Sequence, residues 1–103
     1  MSDVYTIKQE SLEYLPVKVA SFKLGAPYNP TSDVVQIALP VINTAPTTYK
    51  DATWQTVDNE YIAEILVGPG GDFDLTVGDY DIIIKITDSP EVPVLRAGRL
   101  SII

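Results

Sequence analysis

Between Asp79 and Thr87 the chain alternates with a period of two, and this stretch constrains the fold more than any other. Tyr80, Ile82, Ile84 and Ile86 fall on one side. Asp81, Ile83, Lys85 and Thr87 fall on the other. One apolar and one mixed face predict a strand with one side in a core. Ile83 is the apolar member of the mixed face and is expected to cover a neighbouring element or a partner.

The same period recurs from Val34 to Leu39, where Val35, Ile37 and Leu39 share a side. Val17 to Leu24, Ala52 to Val57 around Trp54, and the end of the chain, where Leu100 and Ile102 alternate with Arg99, Ser101 and Ile103, read as further strands. Tyr5 to Gln9 reads as a short opening strand, and Lys8 to Leu15 has room for a helical turn before Pro16. Glu60 to Val67 fits two patterns. Tyr61, Ala63, Ile65 and Val67 alternate, while Tyr61, Ile62, Ile65 and Leu66 lie at helical spacing with Asp58 and Gly68 as caps. Strand is favoured, because its neighbours are β and the run ends in the turn cluster Gly68-Pro69-Gly70-Gly71-Asp72. Val, Ile and Thr supply 31 of the 103 residues, a composition suited to a pleated, half-buried surface. Residues 1–103 read as one domain of about seven strands at ~10-residue spacing, a sandwich or small barrel.

Leu75-Thr76-Val77-Gly78-Asp79-Tyr80 decides between them. A loop reaches Gly78, the chain turns, and an aromatic with a hydroxyl enters a core strand. This is the pattern of the tyrosine corner in immunoglobulin-like antiparallel β-sandwiches, where the ring packs inside and the hydroxyl bonds to backbone just upstream. The plainer reading is a Tyr that opens a strand after a Gly turn. In both readings Leu75, Gly78 and Tyr80 are structural. Trp54 reads as a packing anchor between the sheets, with a surface hot spot as the alternative. The loop Pro90-Glu91-Val92-Pro93 is stiffened by its prolines and serves either as a contact surface or as a plain hairpin end. Ile103 either completes the core or, if the last strand lies at an edge, helps to accept a strand from a neighbour.

The chemistry within reach is narrow. Without cysteine or histidine the chain lacks thiolate and imidazole ligands, a cysteine nucleophile and the commonest general acid–base. The formal charge of −7 opposes binding to nucleic acid or anionic lipid. No apolar run is long enough to span a membrane, and the first residues have no leader-like pattern, so the chain reads as soluble. Asp72, Asp74, Asp79 and Asp81 crowd together, but their spacing matches no calcium loop and Asp is common in turns. Gly68-Pro69-Gly70-Gly71 has no Lys-Ser/Thr behind it and is no phosphate loop. No enzyme, metal or cofactor is expected.

Several segments resemble small virion proteins of tailed bacteriophages of actinobacteria. They are Leu66-Val67-Gly68-Pro69-Gly70-Gly71, Leu75 with Gly78 and Tyr80, Ile86-Thr87-Asp88-Ser89-Pro90-Glu91-Val92-Pro93-Val94, Gly98-Arg99-Leu100, and Ser11 to Val19. The likeness covers about half of the chain and departs at Ile83, where an aromatic is expected; residues 25–50, with Pro27, Pro30, Pro40 and Pro46, are not distinctive and read as an insertion that adapts the domain to its own particle. It implies a virion structural protein on an immunoglobulin-like fold, most simply a decoration protein bound to the outside of the major capsid lattice. A head–tail neck or tail component is the nearest alternative. Partners are then the major capsid protein or other virion proteins, with self-association open, and the location is the virion. A different class, a module for host-surface carbohydrate, would draw on Tyr28, Asn29, Tyr49 and Asp51 in the middle loops.

Overall fold

A computed structural model describes residues 3–19, 22–23, 26–27, 30–87 and 92–103. Among the described residues it is all-β apart from one 3-10 turn at Pro30–Ser32. In chain order the strands are β1 (Asp3–Ile7), β2 (Glu13–Val19), β3 (Phe22–Lys23), β4 (Ala26–Pro27), β5 (Val34–Ala38), β6 (Lys50–Asp51), β7 (Thr53–Val57), β8 (Glu60–Val67), β9 (Gly78–Thr87) and β10 (Val94–Ile102). Five form one sheet in the order β1-β10-β9-β5-β6, and three form a second in the order β2-β8-β7. The short β3–β4 hairpin stands apart from both.

The two sheets face each other across one core. Ile37, Ile82 and Leu100 come from the five-stranded sheet and Leu15, Ala63 and Ile65 from the other, and all six are at most 1% exposed. The alternation that marked β9 in the sequence is its burial pattern: Tyr80, Ile82, Ile84 and Ile86 are buried, and the residues between them are not. Glu60–Val67 is a strand, paired on both sides by β2 and β7. Its hairpin with β7 turns on Asp58 and Asn59, whose φ values of 50° and 64° suit a two-residue turn that matches strand twist.

Three expectations need correction. The strand expected from Val17 starts earlier, at Glu13, and ends at Val19; the turn expected within Lys8 to Leu15 is one hydrogen-bonded turn, the Ser11 amide donating to the Lys8 carbonyl at 2.9 Å, and it stops short of Pro16. Pro16 sits within β2 instead, opposite Glu64. β2 is an edge strand, and bonding alternation counted from the Asp58-Asn59 turn directs the Glu64 backbone to β7. The missing N–H of Pro16 therefore costs no ladder bond. Second, the sandwich is not wholly antiparallel, because β1 lies parallel to β10 with Val4 opposite Arg99. Third, β10 is therefore not an edge. β1 covers it, and beyond the strand the backbone of Ile103 donates to the Ile7 carbonyl (3.0 Å) and accepts from the Gln9 amide (2.9 Å). With both main-chain groups taken, Ile103 offers a neighbour only its exposed side chain.

β10 also holds a bulge. Arg96 pairs with Ile83 and Gly98 with Ile82, which leaves Ala97 as the extra residue. Arg96 and Arg99 would point to opposite faces of an unbroken strand; the bulge brings both to the outward face.

Candidate functional site

The β8–β9 loop and the start of β9 form a corner that fixes the ends of both sheets. The Tyr80 ring is 7% exposed, and its hydroxyl donates to the Thr76 carbonyl at 2.9 Å, with Thr76 Oγ1 at 3.2 Å. A buried ring and a satisfied hydroxyl hold the last turn of the loop against the core. Leu75 packs half-buried on the same core. Gly78 takes a φ of 154°, and a Cβ there would meet the Tyr80 ring edge at 3.9 Å. Trp54, half-buried on β7 and packed on the core, donates its indole N–H to the Asp33 carbonyl at 2.9 Å. That bond ties the three-stranded sheet to the chain just before β5. Tyr80, Leu75 and Trp54 thus pack on the core, and Tyr80 and Trp54 also hydrogen-bond.

Ile83 lies on the outward face of the five-stranded sheet, half-buried between Ala38 of β5 and Arg96 of β10. Register places Lys85, Arg96 and Arg99 on this face with Asp51, Asp79 and Asp81, three cations with three carboxylates. Among the described residues the face is thus locally neutral, on a chain of net charge −7. Its polar groups are largely paired. Gln36 Nε2 donates to Asp51 Oδ1 at 2.9 Å, Arg96 Nε donates to Asp81 Oδ1 at 2.9 Å, and Lys85 Nζ stands 4.1 Å from the Tyr49 ring centroid. Val4, Val34 and Val94 are 65%, 57% and 49% exposed on the same side. A broad, charge-balanced face with exposed aliphatic groups suits contact with another protein.

Asp81 is the electrostatic pivot of the face. Burial raises its pKa, but the Arg96 hydrogen bond, the Asn43 amide and the charges of Arg96 and Arg99 together outweigh it and hold the carboxyl below its ordinary 3.8. The side chain is 14% exposed. A depressed folded-state pKa stabilises the fold above the unfolded value, and this contribution disappears as pH falls through the folded one. Asp81→Asn is therefore expected to cost about 0.5–1 kcal/mol at neutral pH. In urea titrations the gap between wild type and variant should narrow as pH drops below about 4. A gap that persists unchanged to pH 2 would contradict the ion-pair assignment.

The remaining candidates are scattered. Val92 and Pro93 are exposed beside β10, with the Pro93 carbonyl accepting from the Ile86 amide at 3.1 Å. Pro90 and Glu91 lie outside the described residues, as do Tyr28 and Asn29. Tyr49 and Asp51 are near each other but engaged by Lys85 and Gln36. Of the clustered aspartates, Asp72 accepts from the Leu66 amide at 3.2 Å and Asp81 holds Arg96. Arg96 and Arg99 escaped sequence reading as members of one face, since only the bulge unites them; the glycine at 98 was the one available signal.

The described residues form an all-β sandwich whose five-stranded sheet carries a charge-balanced outward face. No protein-family model, curated protein or solved structure matches the chain.

Proposed function

We propose that this chain is an immunoglobulin-like virion structural protein that decorates the outer surface of a bacteriophage capsid. The observation that carries the immunoglobulin-like part is the strand order. β1-β10-β9-β5-β6 faces β2-β8-β7, with a parallel first strand and a tyrosine corner where the chain enters β9. The virion role is supported by the sequence resemblance of the segments around Gly68, Gly78–Tyr80 and Gly98–Leu100. The docking face in this reading is the outward side of the five-stranded sheet, centred on Ile83.

Quantitative mass spectrometry of purified virions tests the role. Copies in whole-number proportion to capsid subunits are expected, and a handful per particle would point instead to the neck or tail. Particles without the chain would abandon the virion reading. Ile83→Asp tests the face: binding to empty shells should fall at least about tenfold, the loss of one central interface anchor. Unchanged binding by a folded variant would move the interface elsewhere.

A further inference from the structure

The pairing of β5 with β6 stops after Gln36↔Asp51 and Ile37↔Lys50, and a groove of about 300 Å³ opens where it would continue. Along β5, odd-numbered residues direct their main-chain groups toward β6: the Val35 carbonyl accepts from the Ala52 amide at 2.9 Å. Even-numbered residues face β9, as the Pro40 carbonyl does in accepting from Asp81. Leu39 is the next odd residue, and Thr48 is its would-be partner. No bond joins them, and among the described residues the Leu39 N–H and C=O have no main-chain partner. Yet Leu39 is only 5% exposed. Open donor and acceptor groups at a nearly buried residue are costly unless something fills them.

Two features keep the slot open and in shape. Pro40 holds the preceding Leu39 extended, and Pro46 has no N–H with which to prolong the ladder from the other side. Leu39, Phe73 and Leu75 give the groove an apolar floor, with Lys50, Asp72 and Asp74 among its charged lining.

The geometry points to this groove as a docking slot for an extended peptide that adds a short strand beside Leu39. Its central residue donates an N–H to the Leu39 carbonyl and accepts from the Leu39 amide. That residue's side chain then lies on the Leu39 side of the sheet, over Phe73 and Leu75, and must be apolar. Two carboxylates against one ammonium at the groove, on a chain of net charge −7, select basic over acidic flanks. The inference stands on the groove itself and holds whether or not the chain belongs to a virion.

The test is an NMR titration of the isotopically labelled full chain with acetyl-Arg-Thr-Leu-Thr-Arg-amide. Saturable shifts at the amides of Leu39, Thr48 and Phe73 are expected, with half-saturation below about 1 mM. N-methylation of the central Leu removes its donor and should weaken binding about tenfold. Replacing both Arg by Glu should weaken it further at low salt, and Asp74→Lys, an exposed substitution that leaves the core alone, should reverse the preference. No saturable shift at Leu39, or equal affinity for the N-methylated peptide, would overturn the proposal. So would concentration-dependent shifts at Leu39 without peptide, which would assign the slot to a second copy of the chain.

Discussion

Gly68→Ala is expected to destabilise the fold by about 2–6 kcal/mol, a large share of the stability of an ordinary domain. Gly68 is buried at the end of β8 with a φ of 135°, where a side chain is strained whatever the space. Space is lacking as well. A Cβ would run into the Ser11 carbonyl oxygen and come within 2.7 Å of Leu12 Cα, both backbone atoms of the segment entering β2. Neither side can withdraw cheaply, because the Gly68 N–H donates to the Phe73 carbonyl (2.8 Å) and the Ser11 N–H donates to the Lys8 carbonyl (2.9 Å). Gly70 supplies the control. Its φ of 82° is also left-handed, but nothing lies within 4 Å of its added Cβ, so Gly70→Ala should cost only about 1 kcal/mol. Urea unfolding of the pair measures both. Equal effects would mean that backbone strain alone, not the close approach to Ser11 and Leu12, governs the turn.

The second large effect belongs to Tyr80. Tyr80→Ala removes a buried ring from the junction of loop, strand and core and should cost about 3–5 kcal/mol. Tyr80→Phe keeps the ring and loses only the bonds to Thr76, for about 1 kcal/mol. Chemical denaturation separates the two contributions. A Tyr80→Phe loss as large as that of Tyr80→Ala would make the hydroxyl, not the ring, the main support of the corner. Amide exchange should show where the hydroxyl acts: in Tyr80→Phe, faster exchange in residues 72–77 than in β9 itself is the expected signature.

What the chain declares locally, it declares well. The period of two in β9 and in Glu60–Val67 follows from side chains alternating across a pleat, a property of consecutive residues that needs no partner to be visible. The corner was legible for the same reason, since Tyr80 reaches only four residues back. Pro16 misled because a proline inside a strand is compatible only with particular edge positions, and whether β2 is an edge depends on β7 and β8. The open main-chain pair at Leu39 could not be read from Pro40 and Pro46 alone either, as it depends on where Thr48 goes.

The sequence alone determined that this is a β protein, which faces its strands bury, and how the loop before Tyr80 is anchored. Tertiary structure alone decided the order of the strands, and that order changed the surface. It placed β1 over β10, closing the edge at which Ile103 was a candidate, and the bulge at Ala97 set Arg96 and Arg99 together around Asp81. The reason is physical: alternation specifies the face of a strand, whereas its neighbours are chosen by contacts between residues far apart in the chain. Asp3–Ile7 and Gly98–Ile102 lie at opposite ends of it, and nothing within either segment encodes the other.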